Sequence, residues 1–214
     1  MNTNLHNYRK SYEKGELTIE SVAKSPFDQF ENWFSEAEKS NTVDEINAMT
    51  LSTVDAEGFP RGRVVLLKEY DDEGYIFYTN YKSEKGQSIA FNPNVCISFF
   101  WPALEQQIII KGIASKVSEE KAVNYFRQRP RKSQLGALVS NQSEEIKDRA
   151  TLEERLLALE QKYEGEAIPK PENWGGYKIF PVEFEFWQGR RSRLHDRIVY
   201  RKNGEDWNVR RVQP

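Results

Sequence analysis

Apolar positions along this chain follow two rhythms. Phe27, Phe30, Phe34 and Ala37 recur at helical spacing behind Ser25-Pro26. That spacing predicts an amphipathic helix with serine at its N-cap and proline at its first position. Further on, "AMTLSTV", "RVVLLKEY", "YIFYTN", "VCISFFW" and "QQIIIKGIASKV" are β-branched or aromatic runs closed by "DAEGFP", "DDEG" and Pro102. Short connections between such runs predict an antiparallel sheet curling into a barrel of six to eight strands.

Helical spacing returns in the second half. A short polar helix is expected from about Ser83, and Ser118 caps "EEKAVNYFRQR", which ends at Arg129 because Pro130 disfavours helix before it. "KSQLGALV" is a second short piece, and from Ser143 onward Leu152, Leu156, Leu159 and Tyr163 form the apolar face of a longer charged helix. "KPENWGGYKIFP" reads as a loop and "VEFEFWQG" as a half-buried strand. "DRIVYRKNGEDWNVRRV" reads as a hairpin turning at Asn203-Gly204. The fold class expected is mainly β with packed helices (α+β). One domain spans residues 25–214, preceded by a polar, mobile segment over 1–24.

Composition narrows the chemistry. Lys and Arg number 31 against 33 Asp and Glu, for a net charge of −2, so any anion site is local and a nucleic-acid partner is not expected. Two histidines and one cysteine cannot assemble a tetrahedral zinc site in the usual way. Neither GxGxxG nor GxxxxGK[ST] occurs, which sets aside a Rossmann dinucleotide site and a P-loop. Cys96, inside "VCISFF", reads as a small core residue. No apolar run is long enough for a membrane span, and the N-terminal stretch lacks a signal-peptide core, so a cytoplasmic protein is expected.

One stretch concentrates charge. "FWQGRRSRLHDR" (186–197) holds four arginines, His195 and Asp196. Such a cluster is either a solvated strand edge or a site facing an anion, because guanidinium forks match carboxylates and phosphates. Arg193 and His195 would alternate on one side of an extended segment. Asp196 is read as orienting a neighbouring arginine.

That stretch belongs to a series: "RVVLLK", "FYTN", "YFRQRPRKSQLGALVSNQS", "WGG" and "EFWQGRRSRLHDR". In order and spacing, from Tyr8 to the terminal "RVQP", the series resembles the pyridoxine/pyridoxamine 5′-phosphate oxidase family. The resemblance implies an FMN-binding split β-barrel and a homodimer with FMN in clefts between the subunits. It assigns the FMN phosphate to Arg63 and Lys85, with Ser83 and Thr79 nearby. The backbone of Val64, Val65, Leu66 and Leu67 and the side chains of Lys68 and Tyr78 would line the flavin, and Gln107, Gln142, Ser143, Trp187 and Arg197 would complete its site. The substrate phosphate falls to Lys68, Tyr125, Arg129 and Ser133. Tyr125 and Arg129 stand four apart on one helix face, and Pro130 turns the chain so that Ser133 approaches from another direction.

Arg193 and His195, with Leu194 between them, would sit over the pyridine ring as the catalytic residues, guiding proton loss. Arg9, Lys10, Ser11 and Tyr12 match a segment that folds over the substrate as a lid. The implied reaction oxidises pyridoxine 5′-phosphate and pyridoxamine 5′-phosphate to pyridoxal 5′-phosphate. Hydride leaves C4′ for flavin N5, and dioxygen takes the electrons to give hydrogen peroxide; the amine also yields ammonia through an imine. The alternatives are another split-barrel flavoprotein, such as a flavin reductase, and a non-catalytic flavin or pyridoxal-phosphate carrier. One departure stands out: Glu84 occupies a position where family members commonly carry a base. Such a carboxylate either points away from the phosphate or is offset by Lys82 and Lys85.

Overall fold

Serine caps and chain-turning residues set the element boundaries. In the computed structural model, which describes residues 4–214, Ser25 accepts a hydrogen bond from the Phe27 N–H and starts α1 (Pro26–Ser40). Ser83 caps α2 (Glu84–Phe91) and Ser118 caps α3 (Glu119–Gln128) through the N–H groups of Gly86 and Lys121. Arg129 closes α3 in extended backbone, and α4 (Arg131–Val139) starts directly after Pro130. The fifth helix, α5 (Arg149–Lys162), starts later than its apolar spacing suggests. Asp148 caps it by accepting from the N–H and hydroxyl of Thr151, each at 2.8 Å, so residues 143–147 lie outside the helix.

Nine strands are present among the described residues: β1 (Ala48–Val54), β2 (Pro60–Leu66), β3 (Glu69–Tyr70), β4 (Tyr75–Asn80), β5 (Asn94–Trp101), β6 (Gln106–Lys116), β7 (Trp174–Gln188), β8 (Asp196–Asn203) and β9 (Asp206–Val212). Hydrogen-bond pairing runs β2-β1-β5-β6-β7-β4-β3, with β8 on β7 and β9 on β8. The count exceeds the expected six to eight because "RVVLLKEY" breaks at Leu67-Lys68. Its first part pairs with β1 and its last two residues with β4, so one run supplies both ends of the path.

Two other expectations are corrected. "WGGYKIFP" is strand, not loop: Trp174–Ile179 pairs antiparallel with β4, and Glu183–Gln188 of the same strand pairs with β8. Its glycines mark close ring approaches. A side chain at Gly175 would collide with the Tyr81 ring, and one at Gly176 with Tyr78. The β8–β9 hairpin pairs Asn203 with Asp206, so its two-residue loop is Gly204-Glu205, and the positive φ of 64° falls on glycine.

By contacts the chain forms two compact units. One comprises the chain through Thr50, Cys96–Lys111 and Pro181–Pro214. Its core is aromatic: Phe30 meets Phe99 and Trp33 meets Phe186, each edge-on at 5.3 Å. Cys96 is half-buried in β5 rather than enclosed, and burial pushes its thiol above the ordinary value, which makes it a weak nucleophile. The other unit comprises Leu51–Val95 and Gly112–Phe180. There Phe126, Leu135, Ile168 and Trp174 form a buried cluster against which Leu156, Leu159 and Tyr163 of the α5 face pack.

Two glycines of this second unit give opposite expectations for stability. A Cβ at Gly86 would collide with the Tyr81 backbone, whereas one at Gly136, inside α4, would meet nothing. Gly86→Ala is expected to cost about 1–3 kcal/mol through backbone displacement. Gly136→Ala should stabilise by about 0.5–1 kcal/mol through helix propensity. Urea unfolding midpoints moving in opposite directions check the pair.

Candidate functional site: a cationic cavity with an aromatic wall

The second unit holds a cavity of about 850 Å³. β2 contributes Arg63 to Leu66, β4 contributes Tyr78 to Asn80, and α2 contributes Lys85. The end of α3 adds Tyr125, Gln128 and Arg129, and α4 adds Ser133. Lys68, Gln142 and Trp174 complete the walls. Of the residues singled out from sequence, Arg63, Val64, Val65, Leu66, Lys68, Tyr78, Thr79, Lys85, Tyr125, Arg129, Ser133 and Gln142 converge here. Leu67 does not line it; its side chain is buried in the core.

Two of the lining cations lack a counterion among the described residues. The Arg63 guanidinium donates to the Leu51 carbonyl at 3.1 Å and the Thr53 hydroxyl at 2.8 Å. The Lys85 ammonium donates to Gln142 Oε1 at 2.9 Å, and the Thr79 hydroxyl donates to the same oxygen at 3.2 Å. Burial lowers the pKa of both cations; Arg61 lowers Arg63 further, and Arg63 lowers Lys85 further. Neither cation forms an ion pair among the described residues. Glu84, the departure noted above, is paired with Arg61 rather than with Lys82 or Lys85, so its carboxylate is engaged outside the cavity lining. Ser83 is fully buried as the α2 cap, and its hydroxyl donates to the Asn80 carbonyl at 2.6 Å. Its role is to hold Lys85's helix in place. Ser143, at φ 74°, accepts from the Glu84 N–H.

Aromatic rings hold a third cation. Tyr78 and Tyr125 stack at 3.8 Å, and Trp174 lies parallel to both. The Arg129 guanidinium sits 4.7 Å from the Trp174 ring centre, in cation–π contact. One of its nitrogens, Nη1, is buried with no hydrogen-bond partner. Burial lowers the Arg129 pKa, and burial raises that of Tyr125, so this phenol is a donor at neutral pH. Tyr78 gives its hydroxyl proton to Glu69 at 2.9 Å, and Glu69 also pairs with Lys121 at 2.7 Å.

The first unit gathers a second group of the predicted residues. His195 packs on Trp187 at 4.6 Å and on Tyr12 at 5.8 Å, and Tyr12 meets Trp187 edge-on. The Arg190 backbone N–H donates to His195 Nδ1 at 3.0 Å. Arg197 is held by Glu185 through two hydrogen bonds, at 2.9 and 2.8 Å. Gln107 lies in β6, half-buried. Arg9, Lys10 and Ser11 are exposed.

The geometry assumed for residues 193–197 is corrected. Residues 191–193 form a 3₁₀ turn, and Ser192 and Arg193 take φ of 57° and 62°, so extended backbone begins only at Asp196. Left-handed backbone at two successive non-glycine residues carries strain on the order of 1–3 kcal/mol each. Arg190 and Arg191 are not idle surface charge either. Arg190 donates to the Gly15 carbonyl at 2.8 Å, and Arg191 pairs with Glu13 at 2.7 Å. Asp196 orients arginines, as expected, pairing with Arg190 and Arg211.

Comparison with known proteins decides the family. The description "Pyridoxamine 5′-phosphate oxidase" matches residues 35–163, and "Pyridoxine 5′-phosphate oxidase C-terminal dimerisation region" matches residues 174–214. The chain belongs to the pyridoxine/pyridoxamine 5′-phosphate oxidase family. Curated pyridoxine/pyridoxamine 5′-phosphate oxidases of Flavobacterium johnsoniae and Christiangramia forsetii are each 55% identical to it. The first covers 97% of this chain and 98% of the relative, the second 100% of both. Among solved structures, PhzG of Burkholderia lata, in complex with tetrahydrophenazine-1-carboxylic acid, is 28% identical with a TM-score of 0.87, covering 94% of this chain and 100% of that one. A pyridoxamine 5′-phosphate oxidase-related, FMN binding protein of Nostoc punctiforme shares the fold, at 17% identity and a TM-score of 0.70, covering 91% and 99%. The architecture is the split β-barrel of these oxidases.

An oxidase of this family acts on a phosphate ester, and the cavity carries the charge to hold phosphate. Arg63 and Lys85 are desolvated like charges that a phosphate would relieve, and Arg129 offers a buried donor with no partner. Sequence reasoning missed Trp174 as a wall of the cavity and Glu69 as the acceptor of the Tyr78 hydroxyl. "WGG" was visible as a motif, yet nothing in the string shows that its indole carries Arg129. Among the described residues no group of His, Cys, Asp or Glu could hold a metal ion, and no helix is long and apolar enough to cross a membrane.

His195 gives the pH prediction. Burial and Arg193 lower its pKa below the ordinary 6.5, against a smaller opposing effect of Asp196. The unfolded ring therefore takes up its proton first as pH falls, and acidification from about 6.5 downward withdraws stability. The ring resonances of His195 should titrate with a midpoint below 6.5 in NMR, and His195→Gln should flatten the acid limb of the stability curve. A midpoint above 6.5 would contradict the packing described.

Proposed function

We infer that this chain oxidises pyridoxine 5′-phosphate and pyridoxamine 5′-phosphate to pyridoxal 5′-phosphate, as a cytoplasmic homodimer with FMN in clefts between the subunits. The observation that carries this reading is a single cavity lined by three cations without ion-pair partners among the described residues and by a flat aromatic wall. The curated relatives named above support the substrate class.

When bound, FMN would supply the hydride acceptor for C4′, with dioxygen as the final electron acceptor. The chain's own residues position the reactants. Arg63 and Lys85 anchor the cofactor phosphate, with Thr79 and Gln142 holding Lys85 in place. Val64 to Leu66 line the flavin with their backbone, and Gln107, Ser143, Trp187 and Arg197 complete its site. Arg129, Tyr125, Ser133 and Lys68 anchor the substrate phosphate, Tyr125 as a protonated donor. Two anchored phosphates fix the separation of the reacting atoms, and such positioning can supply several kcal/mol of the barrier reduction.

Arg193, Leu194 and His195 cover the substrate ring, with Arg9 to Tyr12 closing over it. His195 accepts at Nδ1, so its neutral ring carries the proton at Nε2. Its role is therefore to donate a hydrogen bond to a substrate oxygen, and Arg193 stabilises negative charge there.

The purified protein should be yellow and release FMN, not FAD, on denaturation. Arg129→Leu should raise KM for pyridoxine 5′-phosphate on the order of 10- to 100-fold, the worth of a charged hydrogen bond, with FMN affinity nearly unchanged. Lys85→Met should weaken FMN binding by a comparable factor in fluorescence titration. Equal loss of both ligands in each variant, or no turnover under air by the parent protein, would overturn the assignment.

A further inference from the structure

The first unit contains a carboxylate that the reaction as described does not use. Glu105, in the turn between β5 and β6, is 2% exposed, and its φ of 59° is left-handed. One carboxylate oxygen accepts the backbone N–H groups of Glu13 and Lys14 at 2.6 and 2.9 Å, and the other faces the Lys10 ammonium at 3.4 Å. Its carbonyl accepts the Gly189 N–H at 2.7 Å and the Gln188 amide at 3.2 Å. A single residue thus ties the N-terminal segment and the start of the 189–195 loop to the same point. Burial alone would push this carboxyl up, but the N–H groups of Lys14 and Glu13 and the Lys10 ammonium bring it below its ordinary value.

The segment it holds is a strap pinned at several places. Beyond Glu105's hold on residues 13 and 14, Asp196 accepts the Leu17 N–H at 3.0 Å, and Arg190 reaches the Gly15 carbonyl. Between and beside these pins the fit is tight. A Cβ at Gly189 would lie 2.8 Å from the Tyr12 ring, and one at Gly15 would lie 3.0 Å from the Gln188 side chain. Tyr12 in turn touches Trp187 and His195. Burying a carboxylate is costly unless donors satisfy it, and here every donor is backbone of the strap or the ammonium of Lys10 within it.

We propose that Glu105 is a positioning residue for the oxidation: by clamping residues 10–14 it sets Tyr12 against Trp187 and His195, and so shapes the wall that meets the substrate ring. The proposal rests on the functional reading above for its substrate, but the clamp itself needs no ligand to be observed. Glu105 acts through Tyr12 and touches no reacting atom.

The test uses the full-length flavin-loaded protein. Glu105→Gly is the informative variant, because glycine adopts the left-handed backbone without strain and the loss is confined to the carboxylate. Glu105→Gln, which keeps an acceptor oxygen, is the conservative rescue. Gly189→Ala leaves the clamp intact and displaces Tyr12 directly. With Glu105→Gly, trypsin should cut after Lys10 and Lys14 at least about tenfold faster, because local opening is easier. Its His195 ring resonances should shift and titrate closer to 6.5, and Gly189→Ala should move them likewise without the faster cleavage. KM for pyridoxine 5′-phosphate should rise about fivefold or more with kcat within about threefold in both, and Glu105→Gln should stay within about threefold of the parent.

Unchanged cleavage and unchanged His195 resonances in Glu105→Gly would overturn the clamp. Faster cleavage with unchanged KM would overturn its positioning role. A parent protein with no turnover would overturn the functional reading alone, since cleavage and resonances still decide the clamp.

Discussion

Unneutralised positive charge in a partly desolvated cavity is the constraint on which the rest of this site depends. Arg63, Lys85 and Arg129 all have their charged forms disfavoured by burial, and none has a carboxylate partner among the described residues. The nearby acids are engaged elsewhere: Glu84 by Arg61, and Glu69 by Tyr78 and Lys121. Arg61 and Lys121 thus take up these two carboxylates, and neither acid pairs with a cavity cation. Burying cations without partners is tolerable only where hydrogen bonds and rings hold them. Leu51, Thr53, Gln142 and Trp174 supply those supports.

The arginine-rich stretch solves a different problem. Its members divide by partner rather than by alternation along a strand. Arg190 and Arg191 hold the N-terminal strap, and Arg197 is fixed by two bonds to Glu185. Arg193 alone is exposed with no ion pair among the described residues, and its backbone is left-handed. A strained, unpaired guanidinium beside a neutral imidazole is suited to meet a ligand, whereas its three neighbours build the frame around it.

Much of this was legible in the chain where local chemistry decides structure. Ser25-Pro26, Ser83 and Ser118 announce their helices because a cap needs only residues within three positions. Tyr125, Arg129 and Ser133 converge because helix spacing and one proline bring them together. Legibility fails where partners are distant. "WGG" reads as loop because glycines usually mark turns, yet here they admit the Tyr81 and Tyr78 rings from a strand far away in sequence. The same holds for Glu105, whose neighbours at 13 and 14 are about ninety residues away. A charge cluster likewise does not reveal which of its members are already paired. Glu84 looked like a defect in a phosphate site until Arg61 was seen to take it.

The most direct test of the central claim is a crystal structure of the dimer soaked with FMN and pyridoxal 5′-phosphate. The account predicts the flavin phosphate against Arg63 and Lys85, the pyridoxal phosphate against Arg129, Tyr125 and Ser133, and Glu84 still paired with Arg61. A cavity in which neither phosphate touches these cations, or in which the two ligands exchange partners, would contradict it.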